Sequence, residues 1–256
     1  MLNFDLNFEE GIEINKSINN IVNFISYKQL HDPLTTPFWL PTQYNLDYKN
    51  SLSCIYKFCD KIILHDKILA DSIHKNNKST LIRKLINSIK NHKKLRDQII
   101  NIFFGGHETT SHWITMAIYH LEANKDIKNE ITEELKNITI ENMKNKKLPV
   151  LSSFIKEVLR LNSPIEMYGR DNSKEIILRG KKIPKGSLII STQYAAHRYD
   201  ESWTNPNEFE PKRFNPHYQD LYKKEANRHI RSFFPFGFGT RSCMGRFLAE
   251  LEIKLT

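Results

Sequence analysis

Cysteine is scarce: three residues in a chain of 256. That excludes a disulfide scaffold and fits a reducing compartment. Glycine (9) and proline (10) are too few for a collagen-like or low-complexity chain. Long apolar runs are missing too. No stretch approaches the ~18 residues of a membrane span, and IINIFF at 99–104 is the longest helix-like patch. The opening MLNFDLNFEEGIEINKS is acidic and lacks the basic-then-apolar layout of a signal peptide. Acidic side chains are in deficit, 29 against 38 basic ones, for a net charge of +9. We read the excess as a Lys-rich solvated surface rather than as a nucleic-acid or membrane footprint. With 39% hydrophobic and 26% charged residues, the chain has enough apolar surface for one large domain or two small ones.

Apolar residues recur at helical spacing over 1–30 and 45–71. The Pro-rich HDPLTTPFWLPTQYN (31–45) breaks the pattern between them. The polar, basic run 74–98 reads as a loop or an exposed helix. A long, largely buried helix is expected over 97–121, and a charged amphipathic one over 124–139. Residues 148–164 form a further helix, with Ser152 or Ser153 as the expected N-cap and a stop at Pro164. From 174 to 197 the texture is of short strands joined by Gly and Pro turns. Residues 200–235 are irregular, and GRFLAELEIKLT opens an amphipathic helix. Cys54 and Cys59 are five apart, which suits no metal pair, and read as ordinary core thiols. Trp113 and Met116 read as core as well.

The strongest chemical signal is FPFGFGTRSCMGRFLAE (234–250). It sets Phe236, Gly239, Arg241, Cys243 and Gly245 in the pattern F-x-x-G-x-R-x-C-x-G. Glycines let backbone approach a flat, bulky partner and adopt positive φ. A cysteine just before a helix faces the positive end of its dipole, which favours the thiolate. An arginine two residues away neutralises a carboxylate. The three together suit haem, sulfur to iron and guanidinium to propionate. The bland alternative is a free cysteine beside a Gly-rich turn.

On those five positions the sequence resembles the cytochrome P-450 family of haem-thiolate monooxygenases. Three further motifs agree with the resemblance. GGHETT (105–110) is similar to the family's A/G-G-x-D/E-T-T in the central helix above the haem, where Glu108 and Thr109 match the acid–alcohol pair that delivers protons to dioxygen. HETTSH nearly spells a zinc-protease motif, but His107 and His112 are five apart and stand about 140° from one another on a helix. KEVLR (156–160) matches E-x-x-R with Glu157 and Arg160 on one helix face. FEPKRF (209–214) supplies Arg213 at the family's P-E-R-F, with Lys212 standing where that pattern has Glu. Arg170 and the His197–Arg198 pair match weaker family positions, Arg170 at one that often meets a propionate.

The resemblance covers roughly residues 30–256 and implies a mainly α fold with a small β portion, an incomplete cytochrome P-450 domain. Its parts are a central helix at about 97–121, a Glu–Arg helix at about 151–162, a β and irregular segment at 174–235 and a ligand loop at 234–245. It implies heme b (iron protoporphyrin IX) with Cys243 as axial thiolate and Phe236, Gly239, Gly245, Arg241 and Arg170 around the cofactor. Glu108 and Thr109 would be catalytic, and Glu157, Arg160 and Arg213 would brace the ligand loop. Electrons would come from an NADPH-dependent reductase or another donor on a basic proximal face that includes Lys223, Lys224, Arg228 and Arg231. The substrate would be a small apolar molecule. Full-length members are longer at both ends, so Ile99–Phe104 is expected to lie exposed. The alternative is an inactive, truncated remnant with weak or no haem binding. A polyanion binder, argued from charge alone, explains none of the spaced motifs.

Overall fold

In a computed structural model, residues 7–30, 37–72, 80–139 and 146–256 are described. The chain divides into two compact units, Met1–Gly105 and Gly106–Thr256. The long helix α4 (His92–Ala123) runs through the boundary. Among the described residues no helix is long and apolar enough to cross a membrane.

The first unit is helical. Helices α1 (Phe8–Leu30) and α2 (Gln43–Ser72) pack along their lengths. Ile14, Ile18 and Ile21 recur at the spacing that puts one face of α1 inside. They meet Ile55, Phe58, Cys59, Ile62 and Ile63 of α2. Asn45 turns the chain into α2 by donating to the Pro37 and Leu40 carbonyls at 2.9 and 2.8 Å. Helix α3 (Leu81–Ser88) is capped by Thr80, whose hydroxyl oxygen accepts from the Arg83 amide at 3.2 Å.

Two expectations are corrected here. The basic run 74–98 is not simply exposed: within its described part, α3 buries Ile82 and α4 buries Leu95. A narrow apolar stripe was hidden among lysines and asparagines. Ile99–Phe104 is not an exposed patch either. Ile99 is buried, and Ile100, Phe103 and Phe104 pack against the core of this unit. Cys59 is buried as expected, and burial pushes its thiol up to about 12. Cys54 is only half-buried.

In the second unit, the rest of α4 supplies Trp113 and Ala117 to a core completed by α5 (Lys125–Leu135), α6 (Pro149–Leu161) and α9 (Arg246–Leu255). Leu151, Phe154, Ile155, Val158 and Leu159 fill its centre from α6, and Met116 packs at its edge. Neither Ser152 nor Ser153 caps α6. Pro149 occupies the first turn, where its missing N–H costs nothing. The Glu134 carboxylate of α5 accepts the Val150 and Leu151 amides at 3.0 and 2.9 Å. A long-range carboxylate thus does the work expected of a local hydroxyl. Ser153 instead donates to the Pro149 carbonyl at 2.5 Å.

Beyond α6, β1 (Met167–Asp171) pairs antiparallel with β4 (Leu188–Thr192), Gly169 opposite Ile190. Inside that pair lies a hairpin of β2 (Ile176–Leu178) and β3 (Lys181–Ile183). Arg179 and Gly180 turn it with φ of 48° and 76°, the tight geometry that matches strand twist. Strand β1 lies upstream of the predicted strand region, because its MYGRD has little alternation. After the one-turn α7 (Gln193–Ala196) come short 3-10 turns and α8 (Lys223–Asn227).

Candidate functional site: a cysteine loop braced by a buried ion network

The Cys243 loop is shaped by its own backbone. The Gly237 amide donates to the Phe234 carbonyl at 3.0 Å, and the Cys243 amide reaches back to the Phe236 carbonyl at 2.8 Å. A 3-10 turn spans Gly239–Arg241. Gly237 and Gly239 take φ of 71° and 69°, a region closed to most side chains. Gly239 was anticipated from the motif and Gly237 was not. Gly245 differs from expectation: its φ is −84°, and a Cβ there would meet Cys243 Sγ at an ordinary 3.8 Å. It is the N-cap of α9, so its value lies in the helix start.

Cys243 and Arg241 are both exposed. Beside them Met244 and Phe247 are 88% and 83% exposed. A soft sulfur donor, a guanidinium two residues away and flanking apolar side chains form a donor set that suits a flat, apolar macrocycle with carboxylate edges. Phe236, half-buried, sets its ring edge-on to Trp113 at 5.9 Å. That contact joins the loop to α4. Thr109 stands one turn before Trp113, on the same side of the helix. Glu108 is exposed and Thr109 half-buried. A Cβ added at Gly105 or Gly106 would meet no atom within 4 Å.

Linked to the loop through His197 is an ion network with almost no exposure. Arg160 grips Glu157 with two bonds, Nε to Oε2 at 2.8 Å and Nη2 to Oε1 at 2.9 Å. Its remaining N–H groups reach the His197, Pro206 and Glu208 carbonyls at 2.8, 2.6 and 3.0 Å. Arg213 donates from Nε to Glu157 at 3.0 Å. Both arginines and Glu157 have side chains at most 1% exposed. Only a planar fork of five donors serves so many acceptors at once, which is why lysine would not substitute.

Sequence reasoning missed two members of this region. Glu225 is buried and accepts from Arg213 Nη1 at 2.7 Å. It sits in the charged run KKEANR, which looks like solvated surface. His197 was noted only as part of a dipeptide. It is fully buried, and its Nε2 accepts the Phe234 amide at 3.0 Å, at the entrance to the Cys243 loop. Its proton therefore sits on Nδ1, which has no partner among the described residues. Arg198 donates to the Leu161 carbonyl at 2.6 Å and lies over Tyr194. Arg170 is exposed on β1 beside Tyr168. Arg228 does not sit freely on the basic face. It is half-buried, with its guanidinium 4.7 Å from the Trp203 ring.

His197 gives a pH prediction. Burial, with Arg160, Arg198 and Arg228 nearby, lowers its pKa from 6.5 to about 4, against a weaker opposing effect from the Arg160 backbone. The folded value lies below the unfolded one. The stabilisation is therefore complete above pH 6.5 and is lost as pH falls toward 4, by about 3 kcal/mol in all. Denaturant unfolding of the wild type and His197→Asn from pH 7 to pH 4 checks this. The wild type should lose stability more steeply; parallel curves would contradict it.

The Cytochrome P450 family model matches residues 2–256. This chain belongs to the cytochrome P450 family. The match reaches well upstream of residue 30. Cytochrome P450 4g1 of Drosophila melanogaster is 34% identical over 174 residues, 64% of this chain and 30% of that protein. Cytochrome P450 3A6 of Oryctolagus cuniculus is 29% identical over 242 residues, 87% of this chain and 46% of that protein. Among solved structures, the retinoic acid-bound cyanobacterial CYP120A1 superimposes with a TM-score of 0.77 at 23% identity, over 98% of this chain and 55% of that one. The chain thus spans about half or less of the relatives it matches, and the fold is an incomplete, mainly helical cytochrome P450 fold. Members of the family bind haem through a cysteine thiolate and generally act on apolar substrates with electrons from redox partners.

Proposed function

We propose that this chain carries the haem-thiolate half of a monooxygenase site, with Cys243 as the axial ligand of heme b. The observation that carries the reading is the exposed Cys243 on a loop that is hydrogen-bonded to itself, packed through Phe236 on Trp113 and joined at Phe234 to His197, whose carbonyl accepts from Arg160. Haem held there would supply the activation of dioxygen, one oxygen atom for an apolar organic substrate and the other, with two electrons and two protons, for water.

The chain's own residues have separate tasks. Cys243 Sγ would hold the iron, and Arg241, with Arg170, would meet the propionates. The Thr109 hydroxyl delivers a proton inside the pocket. The Glu108 carboxylate, on the solvent side of the same turn, replaces that proton from bulk water. Lys223, Lys224 and Arg231 are exposed and offer a basic face to an electron-donating reductase. Arg228 is withdrawn from that face and serves the interior.

The test is the carbon monoxide difference spectrum of the dithionite-reduced chain supplied with haem, alongside Cys243→Ala. A strongly red-shifted Soret band in the wild type, absent from Cys243→Ala, is the expected result. Equal bands in both, or none in a folded wild type, would overturn the assignment.

A further inference from the structure

We propose that Glu225 is the fourth member of the buried ion network and a positioning residue for the Cys243 loop. The proposal deepens the haem-thiolate reading, because the loop it steadies is the one to which that reading assigns the haem.

Charge balance comes first. Arg160 and Arg213 bring two cations into a region at most 1% exposed, and Glu157 brings one carboxylate. Left so, the site would hold one uncompensated buried charge, which is costly in a low-dielectric interior. Glu225 removes the excess. Its side chain is 0% exposed. Its Oε1 accepts from Arg213 Nη1 at 2.7 Å and from the Thr204 amide at 2.7 Å. Its Oε2 takes the Thr204 hydroxyl at 3.3 Å. Arg213 is thereby clasped between two carboxylates, Nε on Glu157 and Nη1 on Glu225. The charges alternate along Arg160, Glu157, Arg213 and Glu225 and sum to zero.

Position comes second. Glu225 lies on α8, and from α8 the chain passes through the turn Ile230–Ser232 into Phe233, Phe234 and the Cys243 loop. That strap is tied down at its middle, where the Ser232 and Ser202 hydroxyls lie 3.1 Å apart, and at two further anchors, one at each end. Downstream, the Phe234 amide bonds His197. Upstream, Glu225 bonds Arg213, and its backbone carbonyl accepts from Arg228. Arg228 in turn lies over the Trp203 and Phe214 rings at 4.7 and 5.2 Å. Both anchors lead to the Glu157–Arg160 helix, one through Arg213 and one through the His197 carbonyl. Removing the charge of Glu225 frees the upstream end of the strap and, through it, the register of the loop.

The experiment compares the wild type, Glu225→Gln and the charge-matched Glu225→Gln/Arg213→Gln. Amide hydrogen exchange is read on the full chain before haem is supplied, and the carbon monoxide difference spectrum afterwards. In Glu225→Gln, the Phe234 and Cys243 amides should exchange about tenfold faster, while those of the buried α4 turn at Trp113 stay unchanged. The loaded variant should shift part of its Soret intensity away from the thiolate position. In urea unfolding the double variant should recover much of the stability that Glu225→Gln loses, because removing both partners removes the unpaired charge, while its Phe234 and Cys243 amides stay fast, because the strap still lacks its upstream anchor. Unchanged exchange in Glu225→Gln overturns the proposal, and so does a double variant no more stable than Glu225→Gln. Should Glu225→Gln fail to fold, a folded double variant supports charge balance and an unfolded one refutes it. A wild type without a thiolate band would sink the haem reading alone, since the exchange comparison decides on Glu225 without haem.

Discussion

Glu157→Ala is expected to destabilise the chain by about 3–5 kcal/mol, the cost of leaving buried charge without its partner. The geometry puts it near the top of that range. Glu157 Oε1 alone accepts from Arg160 Nη2, Arg213 Nε and the Glu210 amide, at 2.9, 3.0 and 2.8 Å. Deleting the carboxylate strands two guanidinium groups and a backbone donor in a region closed to water. Domain stabilities of about 5–15 kcal/mol would be cut by a third or more. Urea unfolding measures the loss. Glu133→Ala supplies the contrast. Its ion pair with Lys136, at 2.6 Å, is shorter than the buried ones, but both side chains are more than half exposed. Exposed pairs contribute about 0–1 kcal/mol. If the two variants unfold at similar denaturant concentrations, burial is not what gives Glu157 its weight.

How much of this was legible in the sequence follows from the range of each interaction. Glu157 and Arg160 are three apart on a helix, so their pairing is written locally, and the structure has it as a two-bond grip. Gly239 needs positive φ because the chain turns sharply before Cys243, and the F-x-x-G-x-R-x-C-x-G spacing encodes that turn. The longer helices of the second unit, α5, α6 and α9, were readable from periodicity, and the short α7 and α8 were not. Its strand β1 was not, since pairing with β4 and not its own alternation makes it a strand. The start of α6 was misread because the acceptor for its first amides, Glu134, lies 16 residues upstream of Val150. Glu225 was invisible for a similar reason. A glutamate between lysines and an arginine reads as solvated, and only the return of the chain to Arg213 makes it part of the interior. The burial of Ile99–Phe104 likewise depends on α1 and α2, which no local pattern relates to α4.

The residues proposed for the site, from Glu108 to Cys243, fall within the second unit, Gly106–Thr256. That unit supplies both the ligand loop and its bracing from its own sequence.

Trp203→Ala is expected to cost about 3–5 kcal/mol through lost packing, the range for deleting a fully buried tryptophan. Its effect should extend further than the cavity. Trp203 is 0% exposed, and its indole N–H donates to the Ala196 carbonyl at 3.0 Å. The guanidinium groups of Arg160 and Arg228 lie 5.1 and 4.7 Å from its ring. Phe214 and Phe233 close the cluster at 5.6 and 6.1 Å. The ring is thus an apolar floor for Arg160 of the network and for the neighbouring, half-buried Arg228, and desolvated cation–π contacts are worth about 2 kcal/mol. Trp203→Phe keeps a π face and most of the volume but strands the Ala196 carbonyl, at a cost of about 1–3 kcal/mol. The expected order of stability is wild type, then Phe, then Ala. In the Ala variant, amide exchange at Phe234 should also rise, because Phe233 and Arg228 lose their support together. Phe and Ala variants of equal stability would mean that the ring face carries no part of the network's energy and that Trp203 acts through its N–H alone.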